Sequence, residues 1–416
     1  MSKSSILRGN AVVGQSGGPT VVINQSLVGV VETLRDHARD AGIDKILGAH
    51  HAVRGIIENN FIELQDIPQS RLDRIAQTPS AALGSSRDKP DREYCEKIFK
   101  VFEQNNVRYF FYIGGNDSSD TCRIVNELAH ESGYELRCFH VPKTIDNDLV
   151  LNDHTPGFGS AAKFVAQAFI GDNLDNKALP GIKINVVMGR HAGFLTAASM
   201  LARQNDDDGP HLIYLPEVAF DPERFLADVD AVQKKHGRCL IAVSEGVHDK
   251  DGNPIAAKLA EQMGADVERD AHGNVQLSGS GALGDFLSQL IKQKLGAKRV
   301  RADTFGYLQR SFAGCVSETD AEEARTAGQK AAELALTGNV DGSIAIQRTS
   351  DQPYKVEYKH VRLTDIAAKT RTLDTSHIAP EGNNVKDSFR QYLEPLVGPL
   401  PVVESLGLKK EQSTPA

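Results

Sequence analysis

Short, unbroken apolar runs recur along this chain, and each is followed within a residue or two by glycines and short polar side chains. Ala11 to Gly14, Lys45 to Ala49, Arg108 to Ile113, Leu136 to Val141, Ile182 to Val187 and Arg238 to Val243 are such runs. Continuous apolarity over so few residues marks a strand buried on both faces. Between them, apolar positions recur at three and four, as in Val22, Ile23, Leu27, Val30, Val31 and Leu34, and the same spacing predicts helices over Tyr94–Asn105, Asp285–Leu295 and Thr319–Leu336. Strands alternating with helices predict an α/β protein with mainly parallel sheets flanked by helices. Arg301 to Leu308 reads as a last strong strand, 347–362 as β-rich and charged, Val53-Arg54-Gly55 as a strand exit, and 409–416 as a disordered tail.

At 416 residues the chain exceeds one ordinary core and predicts two or three domains, or two interleaved lobes. A net charge of -8 argues against a dedicated nucleic-acid binder while leaving room for a local basic pocket. The five cysteines are scattered without a C-x-x-C spacing, so reduced, buried thiols are expected in place of a disulfide framework or zinc knuckle. No apolar run approaches a membrane span and the first ten residues are too polar for a signal peptide, which predicts a cytoplasmic protein with no membrane partner.

The chemistry collects where the strands end, which is where open parallel sheets bind ligands. Gln15-Ser16-Gly17-Gly18-Pro19-Thr20 lets backbone N–H groups approach an oxyanion at a helix start, although many such turns bind nothing. Gly84-Ser85-Ser86-Arg87-Asp88-Lys89 reads equally as an anion-ordering loop or a solvated one. Gly114-Gly115-Asn116-Asp117 offers oxygen ligands for Mg²⁺ or its waters, or simply an Asp capping a helix that begins at Ser118. Pro142-Lys143-Thr144-Ile145-Asp146-Asn147-Asp148 offers a cation beside carboxylates: Asp146 as general base and Lys143 as charge stabiliser, or an Asx-turn closing a strand. Arg190, between the glycines of Met188-Gly189-Arg190-His191-Ala192-Gly193, suits a sugar phosphate, and Glu245 suits sugar hydroxyls. Arg299, Arg301 and Arg310 gather near one strand, as a second phosphate would require. Asp206-Asp207-Asp208 reads as a solvated loop, with a calcium site as the alternative. The G-x-G-x-x-G from Gly279 to Gly284 is a rival dinucleotide signature, weakened by the short, polar-flanked strand Val275–Leu277 before it. Together these features predict phosphoryl transfer.

In order, G-G-P-T, S-S-R, G-G-N-D-S, P-K-T-I-D-N-D, M-G-R, S-E-G and Y-L-Q-R resemble the phosphofructokinase family, from the Gly17-Gly18 loop to Arg310. The chain is most similar to its diphosphate-dependent branch, since ATP-using members carry glycine at the position of Asp117 and usually at that of Lys143. A carboxylate at Asp117 would repel the α-phosphate of ATP. The resemblance implies two Rossmann-like lobes with the active site in the cleft, one of 1–150 plus about 310–365, the other of 151–309 plus about 366–408. It implies that Gly18, Arg87 and Lys143 hold diphosphate, and that Asn116 stands where many relatives place an Mg²⁺-associated aspartate. Asp146 becomes the base for the 1-hydroxyl of fructose 6-phosphate, with Thr144, Ile145, Met188, Gly189, Arg190, Glu245, Tyr307 and Arg310 around the sugar phosphate. Arg301 matches a cation that relatives borrow from a neighbouring subunit, which implies a homodimer or homotetramer with shared sites. Rival readings are an ATP-dependent sugar kinase, a non-catalytic regulatory subunit and a nicotinamide-dependent oxidoreductase.

Overall fold

The computed structural model describes residues 7–256, 281–338, 340–404 and 406. The strand expected at Val275–Leu277, the first residues of the rival glycine motif and the tail expected at 409–416 lie outside the described residues.

Two sheets organise the chain. β1 (Gly9–Gln15), β2 (Ile43–Ala49), β3 (Phe61–Glu63), β4 (Val107–Gly114) and β5 (Arg137–Pro142) join β10 (Gly342–Asp351) and β11 (Tyr354–Val361) in a seven-stranded sheet of order β11-β10-β5-β4-β1-β2-β3. β6 (Ile182–Val187), β7 (Leu212–Tyr214), β8 (Cys239–Ser244) and β9 (Val300–Thr304) form a four-stranded sheet of order β7-β8-β6-β9. All four strands of the smaller sheet are parallel; in the larger one only the edge strands β3 and β11 run antiparallel to their neighbours.

β4 shows why these strands are apolar throughout. Tyr109, Phe111 and Ile113 enter one core with Val13 and Leu27, while Phe110 and Tyr112 enter another with Ile98 and Val125, so both faces are covered by helices. The helices Ile23–Ala41 and Glu318–Thr337 pack on the first face at unusually close range. A Cβ on Gly29 would sit 2.2 Å from the Arg325 carbonyl oxygen and one on Gly328 would sit 2.3 Å from that of Ser26, so only glycine admits this crossing. On the smaller sheet, Ile213, Leu240 and Ala242 meet the helix Phe158–Ala178 and the C-terminal helix Asp387–Val397, whose Phe389, Leu393 and Leu396 complete that core.

We propose the lobe division 1–150 with 310–365 and 151–309 with 366–408; its support is that each sheet takes its strands from one of these sets. The polar turns after β1, β4, β5, β6, β8 and β9 carry the residues of the candidate site.

Three local expectations need correction. The strand expected over Arg301–Leu308 stops at Thr304, because Gly306 takes a left-handed φ of 54° and a short helix, Leu308–Ser311, follows. The helix after β4 begins at Asn116 with Gly115 at its cap, so Asp117 lies in the first turn and does not cap it. Val53–Ile57 is a short helix entered through His51 and Ala52, both at positive φ.

Candidate active site

The Gly17-Gly18 turn is fixed from two sides. Gly17 donates its N–H to the Ser86 carbonyl (2.9 Å), and the Ser85 hydroxyl donates to the Gly17 carbonyl (2.6 Å), so the Ser85–Ser86 loop is tied to the turn and brings Arg87 with it. Lys143 comes from the end of β5, and its Nζ donates to the Gly18 carbonyl at 2.9 Å. A Cβ on Gly18 would lie 2.7 Å from Nη1 of Arg310, and one on Gly17 would lie 3.2 Å from Nζ of Lys143. Glycine is therefore what lets two cations close on one turn. The Arg310 guanidinium lies 4.8 Å from the Tyr307 ring centroid and that of Arg87 lies 6.0 Å away on the same ring, so Tyr307 gathers both arginines.

Facing these cations is the carboxylate loop. Thr144 Oγ1 accepts a bond from the Asp146 backbone N–H at 3.1 Å, so the turn is made by the Thr144 hydroxyl, where an Asx-turn over Asp146–Asp148 was the alternative expected. Asn116 Nδ2 reaches Asp148 Oδ2 at 3.4 Å, while its Oδ1 is buried with no partner. Asp117 is largely exposed and pairs with Lys89 at 3.3 Å.

The charges perturb one another strongly. Burial, reinforced by the Arg310 and Arg87 cations, pulls Lys143 down to about 7. Burial pushes Asp146 up, against the pull of Lys143, Arg190, His191 and Arg310. Burial and the neighbouring Asp146 push Asp148 up to about 7. A buried cation and two buried carboxylates displaced toward neutrality beside one another mark a candidate reactive site.

The smaller sheet supplies the opposite wall. Ser244 Oγ donates to the Gly189 carbonyl (2.6 Å), Gly189 N–H points to Glu245 Oε1 (3.5 Å), and a Cβ on Gly246 would collide with the Arg190 carbonyl at 2.0 Å. The 188–190 and 244–246 turns are thus packed backbone to backbone. Gln309, unassigned by the sequence reading, links the Met188 turn to the Tyr307 turn: its Oε1 accepts from Met188 N–H (3.2 Å) and its Nε2 donates to Gly306 O (2.8 Å). Asp148 also carried no assigned role; only its place two residues after Asp146 hinted at one.

The side chains of Ile145 and Met188 lie in the apolar core with Phe158 and Leu195, leaving their backbones for the cleft. Arg301 stays outside the cluster. It is exposed near the start of the edge strand β9, opposite Lys183, about 10 Å of strand short of the site end. Of the three arginines expected together, Arg310 lies against Gly18, while Arg299 and Arg301 stay exposed at the start of β9. The Asp206–Asp208 loop is solvated at Asp206 and Asp207, as expected, but Asp208 is buried and pairs with Lys177 (2.7 Å) and Asn173 (2.7 Å). Among the described residues no cluster of three or more His, Cys, Asp or Glu forms a metal cage, and no helix is long and apolar enough to cross a membrane.

The family model for phosphofructokinase matches residues 10–335. The chain is 57% identical over 94% of its length to the pyrophosphate--fructose 6-phosphate 1-phosphotransferase of Rhodospirillum rubrum, covering 95% of that protein. It is 38% identical over 93% of its length to the protein of the same name from Halomonas elongata, covering 91% of it. Its fold matches the crystal structure of the pyrophosphate-dependent phosphofructokinase of Nitrosospira multiformis with a TM-score of 0.83 at 33% identity, over 96% of this chain and 95% of that one.

Proposed function

This chain belongs to the phosphofructokinase family, and we propose that it catalyses reversible phosphoryl transfer from diphosphate to the 1-hydroxyl of fructose 6-phosphate, giving fructose 1,6-bisphosphate and phosphate. The observation that carries the donor assignment is Lys143: a buried ammonium seated on the Gly17-Gly18 turn occupies space beside the anion cradle and supplies charge to a short donor. Asp117, held by Lys89 at the rim, sets a carboxylate against the α-phosphate that ATP would bring.

In the forward direction Asp146 takes the proton of the 1-hydroxyl, the freed oxygen attacks the terminal phosphorus, and the bond to the bridging oxygen breaks. Lys143 stabilises the charge that gathers on the departing phosphate, Gly18 and Arg87 bind it, and Arg310, expected at the sugar phosphate, is reassigned to the same anion because it lies against Gly18. Thr144, Gly189, Arg190, Glu245 and Tyr307 surround the sugar phosphate, with the backbones of Ile145 and Met188. The raised affinity of Asp146 for protons suits it to this work, since a base is most effective when its pKa approaches the operating pH.

A divalent metal fits this pocket, and we assign it as Mg²⁺. The unpartnered Asn116 Oδ1 and the Asp148 carboxylate beside it are the oxygens that would face the ion, which takes only one or two protein carboxylates and leaves the rest of its shell to phosphate and water. When bound it neutralises phosphate charge. The exposed Arg301, with Leu308, Phe312 and Tyr307 also exposed near the cleft, supports a homodimer or homotetramer in which a neighbour's Arg301 completes each site. The protein would work in the cytoplasm.

The decisive experiment measures phosphorylation of fructose 6-phosphate with Mg²⁺ and either diphosphate or ATP at matched concentrations. Turnover with diphosphate and none with ATP is expected; turnover with ATP alone would overturn the donor assignment.

A further inference from the structure

The loop that carries Asp146 and Asp148 is held by residues more than 200 positions away in the chain. Between the two carboxylates stands Asn147, fully buried and at a φ of 58°, a left-handed conformation uncommon for a side-chain-bearing residue. Its Nδ2 donates to the Tyr392 hydroxyl (2.8 Å), which in turn donates to the Asp153 carbonyl (2.7 Å). Arg371 completes the frame with three bonds to main-chain carbonyls: its backbone N–H to Asp148 (2.9 Å), Nε to Asn147 (2.9 Å) and Nη2 to Asp153 (2.5 Å). The adjacent Thr370 forms a β-bridge with Leu149.

The same segment grips the opposite wall. The Arg371 guanidinium lies 5.0 Å from the centroid of the Phe194 ring, which follows the Met188–Gly193 turn. Two residues on, Leu373 N–H donates to Glu217 Oε1 (2.8 Å), the oxygen that also accepts from Gly193 N–H (2.8 Å). Residues 370–373 therefore touch both loops that must face each other across a phosphoryl transfer.

We propose that the segment around Arg371, with Tyr392, is a strap that sets the distance between the carboxylate loop and the sugar-phosphate loop, making Arg371, Asn147 and Tyr392 positioning residues for Asp146. Planarity is the reason for arginine. One rigid fork spans two carbonyls six residues apart, while a lysine ammonium reaches one of them and loses the face-on contact with Phe194. Tyr392 supplies a relay that accepts from the Asn147 side chain while donating to Asp153, so the strained backbone is pinned at both ends. This inference rests on the reading of Asp146 as the base.

The test compares the wild-type enzyme with Arg371→Lys and Tyr392→Phe, measuring kcat, KM for fructose 6-phosphate, and backbone hydrogen exchange. A misplacement near 1 Å at the reacting atoms predicts a kcat about 10²-fold lower in Arg371→Lys, and about tenfold lower in Tyr392→Phe, with KM within about threefold. Amides of 144–155 should exchange faster in both variants, with the core strands β4 and β6 unchanged. Wild-type kcat in Arg371→Lys, a loss confined to KM, or unchanged exchange at 144–155 would each overturn the strap. Absence of turnover in the wild-type protein would instead sink the functional reading, and the exchange data would still decide whether Arg371 holds the loop.

Discussion

Two short acid-rich loops of this chain look alike in sequence and behave oppositely. At Asp206-Asp207-Asp208, Lys177 reaches Asp207 at 3.0 Å and Asp208 at 2.7 Å, and Asp208 also accepts from the side chains of Asn173 and Asn205 and from two backbone N–H groups. The buried charge there finds its counter-charge, while Asp206 is left to solvent; Asp208 is held well below the usual carboxylate range by the Lys177, Asn173 and Asn205 bonds that outweigh its burial, and Lys177 is raised. At Asp146-Asn147-Asp148, Lys143 donates to a carbonyl, two carboxylates lie close together, and burial moves all three groups toward neutrality. A loop that completes its own electrostatics is structural. One that leaves them incomplete stores affinity for a ligand that will finish the set.

That contrast predicts where substitutions hurt. Asp146→Asn should lower kcat by about 10²- to 10⁴-fold while fructose 6-phosphate binding, measured by calorimetry, stays near wild type. An active variant would remove Asp146 as the base. Lys143→Met should come next, at about 10²- to 10³-fold in kcat with diphosphate, as for loss of one preorganised donor. Equal loss of binding and turnover would mean that Lys143 holds the donor without favouring the transition state.

The Asp208 loop supplies the control. Asp208→Ala leaves Lys177 with Asp207 as its remaining partner but strips Asn173, Asn205 and two backbone N–H donors of their buried acceptor, a loss of about 1–3 kcal/mol. The expected outcome is a markedly lower denaturation midpoint with kcat within about twofold of wild type at a temperature where the variant is folded. A selective loss of kcat with the midpoint unchanged would erase the distinction between the two loops.

Much of this was legible in the sequence because buried parallel strands have no solvent face and so read as continuous apolar runs. β4 and β5 are of this kind, and the turns they aim carry Asn116, Lys143 and Asp146. Where the pattern weakens, the element bounds are no longer legible. Val300–Thr304 lies on a sheet edge with alternate residues exposed, and nothing local marked the end at Thr304 until Gly306 turned the backbone. Asp208 looked solvated because its partners arrive from the helix Phe158–Ala178, some 30 residues earlier. Gln309 and Arg371 were invisible for the same reason. Each acts by bridging segments distant in sequence, and a lone Gln or Arg in a polar stretch has no periodicity to betray it.

The smallest expected effect is the one that reads the incomplete charge set directly. Free Lys143, with a pKa of about 7, is mostly neutral near pH 8. An incoming diphosphate anion favours the ammonium and should draw in up to about one proton. Calorimetry of diphosphate binding in buffers of different ionisation enthalpy counts that proton. Uptake should be largest near pH 8, shrink toward pH 6 where Lys143 is already charged, and mostly vanish in Lys143→Met. The sign also appears in stability. Because the folded pKa of about 7 lies below the ordinary 10.5, the unfolded chain binds the extra proton between them, so this residue makes the free protein more stable as pH rises through that window. Saturating diphosphate, by restoring the charge, should flatten that slope. If proton uptake is the same in Lys143→Met, another group takes the proton, with Asp148, also held at about 7 and neutralised by protonation, the first to substitute.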